Sequence, residues 1–257
     1  MRIARRESDR QIVTAYLESK QNGPFSCRKC GEPVILKTGR NRINHFAHEN
    51  PIACKLGEGE SDEHRLCKVE IAESLRQHAD VRSVAIELPM GKNRPDIFAR
   101  IGSVQVAIEI QISSLSVETI QRRTIEYGRS GIHVLWLLPW NSDLDQCRYS
   151  PSIWEKWIHA AYFGRVYYWL QGLQVAEYRF EPHFRTVPRK SWHAAGGKKV
   201  TGGGYSQRST RFRTPVRCRV LNLATDFEPR QRYWWSGGGI TVPDAKLFTA
   251  KRETKEP

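Results

Sequence analysis

Three observations in the sequence of 257 residues predict an α/β protein. Two cysteines, Cys27 and Cys30, lie in an N-terminal region that is poor in core residues. Between about residues 59 and 145, the hydrophobic periodicity changes in the order helix, three strands, helix, strand. From Pro182 to Gly239, Lys, Arg, Gly and Ser dominate. The expected regions are a small cysteine-containing module over residues 1–58, an αβββαβ core with a further helix and hairpin over residues 59–181, and a partly disordered, basic, Gly-rich tail over residues 182–257.

The composition indicates the kind of partner and the compartment. A formal net charge of +14 favours a polyanion, and nucleic acid is the first candidate. No stretch is long and apolar enough to span a bilayer, and the charged start lacks the apolar centre of a signal peptide, so we expect no membrane partner. The six cysteines are too few and too unevenly placed for a secreted disulfide framework. We therefore expect a cytoplasmic protein.

The cysteine and histidine spacing of the N-terminal module predicts a zinc-ribbon-like unit. The pattern C-x2-C-x14-H-x2-H-x5-C offers five donors for the four positions around a structural zinc ion: Cys27, Cys30, His45, His48 and Cys54. We expect Cys27, Cys30, His48 and Cys54 to bind Zn²⁺, with His45 as the spare donor at a strand end. A module this small needs such a staple to fold. The alternative is two structural cysteines with histidines nearby by chance.

Residues 12–46 of this module also predict local structure. Residues 12–19 could form a short helix, which Asn22-Gly23-Pro24 would end. Two segments, residues 34–37 and 42–46, flank the turn-forming residues 38–41 and predict a hairpin.

A helix is predicted to open the core. Ser61 is its expected N-cap, and the helix runs to about His78. The apolar residues at helical spacing are Leu66, Val69, Ala72 and Leu75. His64 and Lys68 are one turn apart and share another face, which is either an exposed surface or part of a site.

Two strands joined by Gly102-Ser103 carry the acidic residues on which the functional hypothesis depends. An earlier strand is expected over residues 81–88, and the pair is expected over residues 96–101 and 104–112. Glu109 lies within an apolar strand, where an acid is costly to bury without a partner or a cation. A hairpin would bring Asp96 near Glu109 and Gln111, and two close carboxylates repel unless a metal or a shared proton lies between them. The alternative is a solvated acidic face.

A second helix and a buried strand complete the predicted core. The helix is expected from about Ser116 to Tyr127 and carries Arg122 and Arg123. The almost wholly apolar residues 132–138 predict a central strand.

The acidic hairpin resembles the active-site signature of the PD-(D/E)xK nuclease superfamily. Pro95-Asp96 and then Glu109-Ile110-Gln111 match it, with Gln111 where the commoner form has lysine. A longer ordered set resembles the CoiA-like competence protein family over roughly residues 20–140: Cys27-x-x-Cys30, His45-Phe46-Ala47-His48, Cys54, Ser61-x-x-His64-x-x-x-Lys68, Pro95-Asp96, Glu109-Ile110-Gln111 and Glu126-Tyr127.

This resemblance implies a zinc ribbon fused to a PD-(D/E)xK-type nuclease that processes or recombines DNA. Asp96 and Glu109 would hold Mg²⁺ or Mn²⁺, and Gln111 would place water or phosphate. His64 and Lys68 would face the site, and Lys68 or Lys92 would supply the charge that Gln111 lacks. Gln121 and Tyr127 match positions that often point toward such sites. Candidate partners are DNA and recombination or DNA-uptake proteins.

Two other functions remain open from the sequence. One is a catalytically silent, zinc-containing DNA-binding recombination helper. The other is a partner-docking scaffold without a nucleic-acid role, against which the net charge argues.

The C-terminal part predicts a helix, a hairpin and a basic arm. Ser150-Pro151 opens the helix, and Gln171-Gly172 is the turn of the hairpin. The basic arm is expected to bind phosphates with Arg208, Arg211, Arg213, Arg217 and Arg219. The alternative is a soluble tail with incidental charge.

Overall fold

The computed structural model describes residues 3–15, 18–28, 30–38, 44–49, 62–112 and 114–252. Within these ranges, none of the helices is long and apolar enough to span a bilayer.

The N-terminal module is a five-stranded sheet in the order β2-β1-β3-β4-β5. Its strands are β1 (Ile3–Arg6), β2 (Ile12–Thr14), β3 (Phe25–Ser26), β4 (Pro33–Lys37) and β5 (His45–His48). The predicted hairpin is present as the antiparallel pair β4–β5, and its turn lies outside the described residues. The rings of Phe25 and Phe46, 4.9 Å apart, belong to a core of eight buried side chains among the described residues of this module. A core this small leaves the module dependent on a further constraint.

The prediction of a helix over residues 12–19 is wrong for the described part of that segment. Ile12–Thr14 form β2, which pairs antiparallel with β1, and a short 3-10 turn follows at Lys20–Asn22. Ile12, Val13 and Thr14 are β-branched, and such side chains favour strand over helix.

The core follows the predicted αβββαβ order. Its elements are α1 (Asp62–Arg76), β6 (Val81–Ile86), β7 (Ile97–Ile101), β8 (Val104–Ile110), α2 (Val117–Arg129) and β9 (His133–Pro139). Ser116 caps α2, since its side chain accepts a hydrogen bond from the backbone N–H of Thr119. The expected cap of α1, Ser61, lies outside the described residues.

The directions of the core strands determine which strand ends meet at one edge of the sheet. β7 and β8 are antiparallel, with Ile97 opposite Ile108, and Gly102 adopts a positive φ of 56° in the turn between them. β8 and β9 are parallel and are connected through α2. The beginning of β7 therefore lies at the same edge as the ends of β8 and β9.

The chain after the core adds strands to the same sheet and also forms two separate hairpins, β12–β13 and β16–β17. Its elements are α3 (Ile153–Ala161), β10 (Val166–Gln171), β11 (Gln174–Val187), β12 (Lys190–His193), β13 (Lys199–Gly202), β14 (Tyr205–Asn222), β15 (Phe227–Arg232), β16 (Trp235–Gly237), β17 (Ile240–Val242) and β18 (Ala245–Ala250). Strands β14-β11-β10-β9-β8-β7-β6 lie in this order, and β18 joins them by pairing with β9 and β15.

The expectation of a partly disordered tail is corrected by these strands. The boundary expected at residue 181 falls inside β11, which pairs with β14 along most of its length. β18 is almost wholly buried and lies parallel to β9, with Leu247 opposite Val134. Although Gly, Lys and Arg are frequent in the predicted tail, its apolar residues, such as Leu247 and Phe248, belong to the main hydrophobic core. These residues bury enough apolar surface to offset the ordering of the chain.

A substitution in β18 tests whether the C-terminal strands belong to the folding unit. Leu247→Ala removes a fully buried side chain and is expected to lower the free energy of unfolding by about 2–5 kcal/mol. The control Val220→Ala, at a side chain that is 47% exposed on β14, should change it by about 0.5 kcal/mol or less. Urea denaturation of both variants measures the difference, and equal stabilities would contradict an integral β18.

Candidate active site and metal centre

Asp96 is held at the sheet edge by two elements. It directly precedes β7, and the β7–β8 register places it opposite Glu109. Its Oδ2 atom accepts a hydrogen bond from the backbone N–H of Ile110 at 2.8 Å and lies 3.0 Å from Nε2 of His64 on α1. The carboxylate is thus fixed between the backbone of β8 and the first helix.

Glu109 is a carboxylate with only 1% of its surface exposed. Its Oε1 atom accepts hydrogen bonds from the Tyr127 hydroxyl, at 2.5 Å, and from the guanidinium of Arg123, both on α2. Burial raises the pKa of Glu109 to about 8, the positive charge of Arg123 opposes this increase, and the negative charge of Asp96 adds to it. The two carboxylates that the sequence pairs are therefore close enough to interact.

Lys68 adds a buried positive charge to the same site. It lies one turn after His64 on α1 and is 3% exposed. Its ammonium donates a hydrogen bond to Glu87, and its Nζ atom is 3.9 Å from Oδ1 of Asp96. The structure thus brings His64, Lys68 and Asp96 together.

Gln111 follows β8 directly at this edge of the sheet. Its backbone N–H donates a hydrogen bond to the carbonyl of Leu137 at 2.8 Å, and the residue is half-buried. Gln121 differs from its prediction, because its side-chain amide donates to the carbonyl of Thr241 at 2.8 Å and so contacts the C-terminal strands. Tyr127 does contact the predicted site, through Glu109.

Two residues of the site were missed by the sequence analysis as site residues, Arg123 and Glu87. Arg123 lies one turn before Tyr127, and this i, i+4 spacing was the available signal. Glu87 has a positive φ of 53°, contacts Lys68 and Arg94 through its side chain, and donates its backbone N–H to the carbonyl of Asp96 at 3.1 Å. Glu87 directly follows β6, and the antiparallel β6–β7 register, with Ile86 opposite Ile97, places it beside Asp96.

Hard oxygen donors are what Mg²⁺ and Mn²⁺ prefer, so Asp96 and Glu109 fit such a cation in chemistry. The fit has one condition. Arg123 contacts the Glu109 oxygen that also accepts from Tyr127, so a cation would bind beside this guanidinium or displace it.

The N-terminal module brings together three of the four predicted zinc ligands. The Sγ atoms of Cys27 and Cys30 and a ring nitrogen of His48 lie within 4.8 Å of one another, and Sγ of Cys30 is 3.2 Å from Nε2 of His48. Gly31, with a positive φ of 77°, donates its N–H to the carbonyl of Cys27 at 2.8 Å and tightens the turn. Two thiols and an imidazole are the donors of a structural zinc site. The fourth predicted ligand, Cys54, and the side chain of the spare donor, His45, lie outside the described part of the chain.

Comparison with known proteins found family matches for the N-terminal module and for the core that follows it. The profile described as "Competence protein CoiA, N-terminal domain" matches residues 9–57, and "Competence protein CoiA, nuclease-like domain" matches residues 60–154. The chain belongs to the CoiA-like competence protein family. Competence protein CoiA of Bacillus subtilis (strain 168) is 28% identical over 115 residues, which cover 44% of this chain but only 31% of that relative. No solved structure matches the chain.

The five arginines of the predicted basic arm of this CoiA-like protein do not act alike. All lie on β14, but Arg213 and Arg219 donate to backbone or carboxylate oxygens within the protein, and Arg211 donates to the Ser150 hydroxyl at 3.4 Å. Arg219 donates to Oε2 of Glu177 at 3.0 Å and to the carbonyl of Lys251 at 2.6 Å, and Arg213 donates to the carbonyl of Phe212 at 2.8 Å. Arg208, Arg211 and Arg217 are exposed, and a role in binding phosphates remains a prediction for them.

The zinc site is tested by metal analysis. Protein purified without chelator should carry one zinc per chain, and Cys27→Ser should lose it and destabilise the module, because a hydroxyl is a poor zinc ligand. Cys54→Ser should do the same if Cys54 is the fourth ligand. The matched control is Cys147→Ser, at an exposed cysteine of the C-terminal part. Wild-type protein without zinc would contradict the site.

The structural role of Arg219 can be separated from a DNA-binding role. Glu177 is 1% exposed and pairs with both Arg165 and Arg219, so Arg219→Ala leaves a buried carboxylate with one cation fewer. The free energy of unfolding should fall by about 1–3 kcal/mol. The neighbouring exposed Arg217→Ala should change it by about 0.5 kcal/mol or less. Chemical denaturation compares the two variants, and equal stability would show that the ion pair contributes nothing.

Proposed function

We propose that this chain is a divalent-metal-dependent deoxyribonuclease of the PD-(D/E)xK type that processes or recombines DNA in the cytoplasm. The observation that carries the proposal is the position of Asp96 opposite Glu109, at the edge of a sheet within a nuclease-like domain. The formal net charge of +14 supports DNA as the substrate.

Asp96 and Glu109 are the proposed holders of Mg²⁺ or Mn²⁺. When bound, such an ion lowers the pKa of a coordinated water and offsets charge at a scissile phosphate. The protein side chains around the carboxylates fix their positions. His64 and the backbone N–H of Ile110 hold Asp96, and Arg123 and Tyr127 hold Glu109.

Lys68 is the proposed source of the positive charge that the commoner nuclease signature takes from the residue at position 111. Its ammonium is buried and lies 3.9 Å from Asp96, so it acts in a poorly solvated setting where a charge interacts strongly. Gln111 is a neutral amide, which can orient a water or a phosphate oxygen by hydrogen bonds. In this assignment, charge and orientation come from two residues instead of one.

A catalytically silent DNA-binding recombination helper is the second candidate. Two observations favour it: Arg123 contacts the carboxylate that would hold the cation, and position 111 has no charge. The zinc-ribbon-like module and the exposed arginines of β14 would serve this function without a cation at Asp96.

Cleavage of plasmid DNA with Mg²⁺ or Mn²⁺ tests the nuclease. Asp96→Asn keeps an oxygen that can accept from Ile110 and removes the negative charge, so cleavage should fall by several orders of magnitude while the fold is kept. Gln111→Ala should cost less, because an amide only positions. The control is Asp80→Asn, at a carboxylate that is 67% exposed between α1 and β6, which should cleave like wild type.

Calorimetric Mn²⁺ binding separates the two candidates. Wild type should bind Mn²⁺, and Asp96→Asn and Glu109→Gln should bind it more weakly. Equal cleavage by wild type and Asp96→Asn would place the activity elsewhere. Salt-sensitive DNA binding without cleavage or Mn²⁺ binding would establish the helper.

A further inference from the structure

Two adjoining cavities are lined by residues of the C-terminal part of the chain, between Lys156 and Arg252, and neither is lined by Asp96 or Glu109. Their volumes are about 670 Å³ and about 750 Å³. Both are lined by residues at the end of α3 and on β11, and they share one wall: His159, Phe163, Gly164 and Phe180. We refer to the two cavities together as the α3 cleft.

The α3 cleft is strongly cationic. The basic side chains that line it are Lys156, Arg165, Arg179, Arg208, Arg213, Arg230, Arg232 and Arg252. Among the described residues that line the two cavities, Glu181 is the single carboxylate, and it belongs to the smaller one. Such a lining attracts a polyanion.

Phe163 holds two of these arginines at the boundary between the cavities. It has a positive φ of 57°, which is rare for a bulky side chain, and Gly164 follows with 85°. The guanidinium carbons of Arg230 and Arg232 lie 4.4 Å and 4.5 Å from the centre of its ring. Two like charges therefore converge on one aromatic ring.

The guanidinium of Arg232 is only partly hydrogen-bonded within the protein. Its Nη2 atom donates to the carbonyl of Ala160 at 3.2 Å, whereas its Nε atom is buried and makes no hydrogen bond. Burial and the charge of Arg230 both lower the pKa of Arg232. An anionic oxygen beside the part of the guanidinium that lines the cleft would reduce the repulsion between the two arginines.

Three consecutive exposed aromatic residues end at the larger cavity. Trp235 lines the larger cavity and is 38% exposed, and Tyr233 and Trp234 before it are 74% and 66% exposed. The Trp235 ring lies over the backbone of Gly237, where an added Cβ atom would be 2.8 Å from a ring carbon. The orientation of this ring is thus fixed by the short hairpin β16–β17.

We propose that the α3 cleft binds single-stranded DNA, with phosphates on Lys156, Arg208 and Arg232 and a base against Trp235. An arginine groove beside exposed aromatic rings combines the two contacts that single strands offer, phosphate charge and an accessible base face. A duplex offers the charge, but its bases are already stacked and paired. The inference rests on the proposed function in one respect, that DNA is the ligand. It places a strand-binding surface outside the carboxylate site.

The first experiment measures the charge contribution without metal. Fluorescence anisotropy with a short labelled oligothymidylate in chelator compares Lys156→Gln/Arg208→Gln with Arg82→Gln/Arg100→Gln. The control removes the same charge from exposed positions on β6 and β7, at the strand ends away from Asp96. The cleft variant should bind about tenfold more weakly, and its salt dependence should fall by about 1.4 in log–log slope, since each single-strand phosphate contact contributes about 0.7. The control should change affinity less than about twofold.

The second experiment measures stacking. Trp235→Ala should weaken single-strand binding about tenfold, in line with the typical contribution of a stacked base, and Trp235→Phe should restore most of it. The matched control is Trp192→Ala: Trp192 is also half-exposed and also lies over a glycine, Gly202, but on the separate hairpin β12–β13. Circular dichroism of each variant checks that the sheet is intact.

The outcomes distinguish this inference from the proposed nuclease. Wild-type affinity in both cleft variants would overturn the α3 cleft as a binding site, whether or not the protein cleaves DNA. Equal competition by duplex DNA of the same length, with no effect of Trp235→Ala, would overturn the single-strand preference. If the protein binds the single strand through the α3 cleft but cleaves no DNA, the result would support the cleft as a binding site and contradict the proposed nuclease activity.

Discussion

The burial of Glu109 is the constraint around which the core is arranged. A carboxylate that is 1% exposed on a central strand is tolerated only with compensation, because an unpaired buried charge costs several kcal/mol. The compensation comes from α2, whose residues Arg123 and Tyr127 reach the same carboxylate oxygen. Arg123 also donates to the carbonyl of Arg94 at 3.1 Å. One guanidinium thus ties the central strand, the crossover helix and the segment that leads into Asp96.

The charges around Asp96 and Glu109 explain how a glutamine is accommodated at position 111. Lys68 and Arg123 already place two cations beside Asp96, Glu109 and Glu87. A lysine at 111 would add another positive charge to an edge where two such charges are largely buried. A neutral amide leaves the balance of charge unchanged. The same charges hold Glu87, whose backbone has a positive φ. Strained backbone positions persist where surrounding contacts fix them, and both Lys68 and Arg94 contact the Glu87 side chain.

The sequence predicts what depends on local spacing and fails where distant segments meet. The order of the core elements follows from periodicity, and the turn at Gly102 sets the register that places Asp96 opposite Glu109. The Cys27-x-x-Cys30 turn is likewise local. β14 and β18 could not be predicted from composition, because they are stabilised by pairing with β11 and β9, which precede them by many residues. Glu87 was missed for a related reason, since its contact with Lys68 joins the end of β6 to the separate helix α1.

The region of family similarity is shorter than the folding unit, and the sheet shows why. The nuclease-like match ends at residue 154, just inside α3. A chain cut there would leave one edge of β9 unpaired, although five consecutive residues of that strand are buried and apolar. β10 covers the C-terminal half of this edge and β18 covers the N-terminal half, so the segment beyond the match completes the core. The same segment supplies the arginines and aromatic rings of the α3 cleft. A carboxylate site within the matched region is therefore combined, in one sheet, with a cationic surface built largely on strands outside it.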